Sequence, residues 1–166
     1  MKTAKIFTLT VGALLAAITV TVLVNTVLTT SRQMNVAAVQ PVALDEARPA
    51  GRLAAAIRKQ TIASAADPEQ NKAQFLALHE QLAADYPLVH STLQREIINE
   101  TALLYRWQGR DPNAPVILLM AHMDVVPVTP GTEKDWQVPA FAGRVQDGFI
   151  WGRGAWDDKG NLIAQL

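Results

Sequence analysis

The sequence predicts an α/β domain preceded by a membrane-spanning helix, and three observations carry that prediction. Ile6 to Thr30 contains no charged side chain. Val116 to Met120 is a continuous apolar run, as expected for a strand covered on both faces in an α/β sheet. Asp147-Gly148, a pair that tolerates positive φ, sits inside a branched and aromatic stretch as the turn of a hairpin.

Taken in order, the apolar run comes first. At ~1.5 Å per residue it exceeds the ~30 Å hydrocarbon thickness of a bilayer. Lys2 and Lys5 precede it and Arg32 follows it, so the positive bias keeps the amino terminus cytoplasmic and places the rest outside. The alternative is a secretory signal cleaved near the small residues Ala37-Ala38, which leaves a secreted product. Residues 1–31 are thus read as the anchor, 32–50, with Pro41 and Pro49 and no sustained period, as a linker, and 51–166 as the domain.

Within the domain, Leu53, Ile57 and Ile62 among alanines predict a short amphipathic helix leading into a turn or extended piece at Thr61 to Ser64. Asp67-Pro68-Glu69-Gln70 reads as the start of a second helix, with Asp67 as N-cap and Gln70 placed for a capping box. That helix runs to about Ala84, burying Phe75, Leu78 and Leu82 and leaving Glu69, Lys72, His79 and Glu80 to water, and Pro87 ends it. Ile97 to Trp107 reads as a strand, Gly109 to Asn113 as a turn, Phe141 to Gly152 as two short strands, and Gly160 onward as a helix start.

At 166 residues, 49% hydrophobic and with zero net formal charge, the chain has the composition of one ordinary domain after the apolar run is set aside. The absence of cysteine excludes a disulfide framework and thiolate ligands. With no basic stripe and no basic-aromatic interleaving, a nucleic-acid partner is excluded.

The residues able to do chemistry lie in the last third. His122 and Asp124 follow the apolar run, and Asp157-Asp158 follows Gly152-Arg153-Gly154 and precedes Lys159-Gly160. Nitrogen and oxygen donors held rigidly at strand ends suit zinc. A lone His-x-Asp is also a common hydrogen-bonded structural pair, and adjacent carboxylates also serve at an exposed helix start, so residue types leave both readings open.

The run Met120 to Pro127, the Trp136 to Phe141 segment, Asp147-Gly148 and Gly152-Arg153-Gly154-Ala155-Trp156-Asp157-Asp158-Lys159-Gly160 together resemble the co-catalytic di-zinc metallopeptidases that include aminoacylase, glutamate carboxypeptidase and carboxypeptidase S. The resemblance covers roughly Gly51 to Leu166. The amino-terminal apolar run, Pro87-Leu88-Val89-His90 and the Trp136 to Phe141 segment are similar to the carboxypeptidase S-like branch, which includes N-acyl-amino-acid hydrolases. It implies that His122 is a terminal ligand of one Zn2+ and that Asp157 bridges two ions, Co2+ or Mn2+ being alternatives. It further implies that Asp124 serves catalysis from behind, on the His122 ring, that Asp158 binds no metal, and that the Asp157-Asp158 peptide is cis.

The activity implied is amide hydrolysis of small peptides or N-acyl amino acids, with a glutamate as proton shuttle. No such glutamate follows Asp158 in the sequence, and one His with one bridging Asp cannot hold two ions. The chain reads as the N-terminal fragment of a membrane-anchored metallo-hydrolase of carboxypeptidase or aminoacylase type. As given, it is expected to bind zinc weakly and to turn over no amide. The alternative is a catalytically inactive membrane-tethered binding module with the same partial fold. His90, outside the motifs, reads as structural, Trp136, Trp151 and Trp156 as packed against loops, and Arg153 as holding its turn through carbonyls or an acidic neighbour.

Overall fold

Threonine-rich apolar sequence forms helix α1, Lys2–Leu28, in a computed structural model that describes residues 2–166. Branched side chains weaken helices in water, yet here the hydroxyls of Thr8, Thr10, Thr19, Thr21 and Thr26 each donate to the carbonyl four residues earlier, at 2.8–3.0 Å. The helix therefore presents little unmet polarity, and it is long and apolar enough to cross a membrane. The chain divides into two units, Met1–Val42 and Ala43–Leu166, each described by itself.

In the second unit, α2 spans Ala47–Ile57, beginning before the Gly51 expected from the sequence. Pro49 lies in the first turn, where an amide would have no intrahelical partner, so it starts the helix rather than delaying it. After α2 the chain extends: Ile62 makes a parallel bridge with Val125, Val125 N–H donates to the Thr61 carbonyl at 2.9 Å, and the buried Thr61 hydroxyl donates to the Met123 carbonyl at 2.5 Å.

The second helix starts later than expected. The Asp67 carboxylate accepts from the Glu69 amide at 3.2 Å in a local turn, and α3 spans Lys72–Asp85 behind Asn71. Asn71 is diverted to the Ile62 carbonyl, at 2.9 Å, which ties the helix entrance to the extended segment. Lys72 is not simply solvated; it pairs with Glu69 at 3.1 Å and Glu100 at 2.8 Å. His79 is buried rather than exposed, because it shares the i, i+3, i+7 stripe of Leu82 and Tyr86. Its Nε2 donates to the Thr101 carbonyl at 3.0 Å, and burial lowers its pKa against the raising effect of that bond.

Pro87 ends α3 and, at the first position of the next turn, opens α4, Pro87–Thr92. The expected single strand at Ile97 to Trp107 is instead an antiparallel hairpin of β1, Gln94–Ile98, and β2, Ala102–Arg106. Asn99 and Glu100 take φ of 48° and 68° between them, a turn made without glycine. His90 is structural: Nδ1 donates to the Tyr86 carbonyl at 3.0 Å, leaving Nε2 to accept the Tyr105 hydroxyl at 2.9 Å.

Val116 to Met120 departs furthest from expectation. The segment belongs to no strand, and Val116 and Ile117 are 94% and 84% exposed. Among the described residues the sheets are two antiparallel hairpins, so no ladder partner reaches this run and its faces stay uncovered. The second hairpin, β3 (Arg144–Gln146) with β4 (Phe149–Trp151), turns at Asp147-Gly148, where φ values of 55° and 78° give the twist that antiparallel strands need.

Helix α5, Lys159–Gln165, closes the unit. Ile163 joins Ala56, Leu78, Leu82 and Tyr86 in the core, with the Tyr86 hydroxyl donating to the Ile163 carbonyl at 3.1 Å. Lys159 is fully buried, and its ammonium donates to the carbonyls of Ala56 at 2.9 Å and Lys59 at 2.6 Å. Ala56 lies in the last turn of α2 and Lys59 just beyond it, and burial depresses the Lys159 pKa to about 8.

Candidate metal centre

Two loops bring the candidate residues together. The first follows the exposed apolar segment and carries His122 and Asp124, held from below by the Val125–Thr61 bond. The second is the Gly152 to Gly154 turn, locked by the Arg153 amide on the Ala140 carbonyl at 2.6 Å and the Lys159 amide on the Gly154 carbonyl at 3.0 Å. Gly154 has φ +83°, and a Cβ there would stand 2.6 Å from Val125 Cγ1. The turn thus presses directly beneath the first loop and delivers Asp157 to it. The Asp157-Asp158 peptide is cis.

His122 Nδ1 lies 3.1 Å from the Asp124 carboxylate and 3.1 Å from the Asp124 carbonyl. Both atoms only accept, so Nδ1 carries the proton and donates to them. Nε2 then offers a lone pair, and it lies 2.9 Å from Asp157 Oδ1. Two electron pairs do not face each other at that distance without a cation between them, whether a proton or a metal ion. The hydrogen bond to Asp157 accordingly raises the His122 pKa; desolvation opposes it, and the Asp124 carbonyl and carboxylate add to the rise. The nitrogen-plus-oxygen donor pair fits zinc. Half of the His122 side chain and 83% of the Asp157 side chain are exposed, and among the described residues no group of three or more such donors gathers.

Asp158 points elsewhere. Its Oδ2 accepts from the His122 backbone amide at 3.0 Å and from Asn161 Nδ2 at 3.3 Å. Asn161 and Gln165 were not singled out from the sequence, yet both donate to the Met120 carbonyl, at 3.1 Å and 2.9 Å. Their spacing from Asp158, three and seven residues on, is the signal that placed them on one helical face. The tryptophans divide: Trp151 Nε1 donates to the Gln146 carbonyl at 3.3 Å, Trp136 lies under the Arg153 guanidinium at 5.1 Å, and Trp156, expected against a loop, is 93% exposed. Arg153 therefore stacks on an aromatic face and neither holds carbonyls nor meets an acid with its side chain.

Comparison with known proteins covers this region. Residues 118–166 match the family model described as Peptidase family M20/M25/M40. Over 161 residues, 92% of this chain and 31% of the relative, the sequence is 38% identical to probable carboxypeptidase S-like 2 of Dictyostelium discoideum. It is 43% identical over 102 residues to carboxypeptidase S of Saccharomyces cerevisiae, covering 60% of this chain and 18% of that one. It is 46% identical over 83 residues to human N-fatty-acyl-amino acid synthase/hydrolase PM20D1, covering 49% and 16%. The chain spans less than a third of the length of these curated relatives. No solved structure matches it. His122, Asp124, Asp157 and Asp158 all fall inside the matched residues, and over that stretch the chain matches peptidase family M20/M25/M40.

Proposed function

We propose that this chain is part of a membrane-anchored, zinc-dependent amidohydrolase that cleaves small peptides or N-acyl amino acids on the extracytoplasmic side. The observation that carries the reading is the convergence of His122 Nε2 and Asp157 Oδ1 at 2.9 Å within the family-matched residues. Relatives named as carboxypeptidases and as an N-fatty-acyl-amino acid synthase/hydrolase support the substrate class, and the length and apolarity of α1 support the anchor.

His122 and Asp157 would hold the metal, and bound zinc supplies an acidified water and a Lewis acid for the carbonyl oxygen. Asp124 accepts the Nδ1 proton of His122, fixing the tautomer that leaves Nε2 free and making that nitrogen more basic. The open face around Asp157 admits substrate, and the Gly152 to Gly154 turn keeps its carboxylate from swinging away.

The test is a zinc titration of the full chain in detergent, followed by NMR at the His122 ring, alongside hydrolysis of an N-acyl amino acid by the product of the native gene. Zinc should perturb the His122 signals, the Asp157→Ala variant should lose that response, and His122→Ala should abolish hydrolysis. An unresponsive His122 ring, or hydrolysis undiminished in His122→Ala, would overturn the proposal.

A further inference from the structure

We infer that Asp158, Asn161 and Gln165 form a polar clasp on the outer face of α5 that positions His122 through its backbone, so that the ring meets Asp157. Among the described residues, the ring nitrogens hydrogen-bond to Asp124 and Asp157 alone. Its aim therefore depends on where the main chain from Met120 to His122 is placed, and that main chain lies in a segment with no ladder partner among the described residues. Among the described residues, no sheet hydrogen bonds fix it.

The clasp replaces them. The carbonyl of Met120 uses both lone pairs, one on Asn161 Nδ2 at 3.1 Å and one on Gln165 Nε2 at 2.9 Å. Two residues later the His122 amide donates to Asp158 Oδ2 at 3.0 Å, a bond strengthened by the full charge on the acceptor. The three clasp side chains hold one another as well: Asn161 Nδ2 reaches Asp158 Oδ2 at 3.3 Å, and Gln165 Nε2 reaches Asn161 Oδ1 at 3.0 Å. Each member is pinned by its neighbour, so the carbonyl and amide of the His122 segment meet a preformed set of partners rather than free rotamers.

The helix that carries the clasp is itself immobilised. On its opposite face Ile163 is buried in the core, and Lys159 fastens the helix to the end of α2. Asp158 also directly follows Asp157, so one short stretch of chain presents the carboxylate and grips the segment bearing the imidazole. The separation of the two donors is in this way set by α5. Asp158, Asn161 and Gln165 are positioning residues: they touch neither the Nε2 nor the Asp157 oxygen that meets it. As a statement about zinc, this rests on the reading proposed above; as a statement about the placement of His122, it does not.

The experiment uses the full chain in detergent, with Asp158→Ala, Asp158→Asn, Asn161→Ala, Gln165→Ala and the Asn161→Ala/Gln165→Ala double variant. Gly148→Ala, strained at the β3–β4 turn, serves as a variant destabilised elsewhere. Amide hydrogen exchange at His122 should accelerate in Asp158→Ala and recover in Asp158→Asn, which keeps an accepting oxygen. Zinc titration read at the His122 ring should show the apparent Kd weakening about 10- to 100-fold in the double variant, the range for lost outer-shell support. Each single variant should show a smaller part of that loss, and Gly148→Ala should show none. Equal exchange at His122 in Asp158→Ala and the parent, an unchanged Kd in the double variant, or an equal loss in Gly148→Ala would overturn the clasp. If the parent ring shows no response to zinc, the metal reading fails, and the exchange measurements still decide whether the clasp exists.

Discussion

Replacing Gly154 by alanine tests the contact that seats the Asp157 turn under the His122 loop. The new Cβ meets two separate penalties. At φ +83° an L-residue occupies the left-handed region, which costs about 1–2 kcal/mol. The Cβ would also stand 2.6 Å from Cγ1 of Val125, a side chain 3% exposed and stiff about χ1, and relieving such overlap in a filled interior costs about 1–3 kcal/mol. The sum, about 2–5 kcal/mol, is a large share of the ~5–15 kcal/mol that holds a typical domain. The two parts separate in a double-mutant cycle with Val125→Ala, which deletes the obstructing methyl and leaves the backbone unchanged. The penalty of Gly154→Ala should then shrink to the conformational part, giving a coupling of about 1–3 kcal/mol. Urea unfolding of the full chain in detergent, followed by tryptophan fluorescence, measures it. A coupling within ~0.5 kcal/mol of zero would refute the claim that these loops touch through Val125.

Two further outcomes are expected. Because burial lowers the pKa of His79, the unfolded chain takes up a proton there first as pH falls through ~6.5, so this residue removes stability on the acid side. His79→Gln should be less stable than the parent at neutral pH, and the gap should narrow between pH 6.5 and 5 in denaturation midpoints; a gap that widens contradicts the neutral buried imidazole. Leu82→Ala, at a fully buried core position, should cost about 2–5 kcal/mol in the same assay, and a cost under 1 kcal/mol would mean that α3 does not pack as described.

What was legible in the sequence was local. Asp147-Gly148 specifies its own turn, the uncharged run specifies its own helix, and the start of α5 lies within one residue of Gly160. The hairpin at Asn99-Glu100 carries no glycine as marker, so its branched and aromatic flanks read as one strand. The polar type of His79 suggests a polar face, whereas its helical register with Leu82 and Tyr86 decides its burial. Val116 to Met120 read as a covered strand because apolarity reports what a segment can bury, while a strand requires partners that no local pattern supplies. At the candidate metal centre, resemblance supplied His122, Asp124 and Asp157. The residues that fix the His122 backbone, Asn161 and Gln165, are ordinary amides in sequence and acquire meaning only where the Met120 carbonyl meets them.

The uncovered run from Val116 to Met120 also governs how the chain behaves in bulk. Its first four residues make no backbone hydrogen bond among the described residues, and all five side chains are at least 69% exposed. A charge-free, apolar pentad of this kind is a template for cross-β stacking of one molecule on the next. Pro115, which lacks an amide, is a gatekeeper at its front end alone. Precipitation should therefore begin at this pentad, and a lysine at position 117 or 119 is the economical way to keep the chain monodisperse.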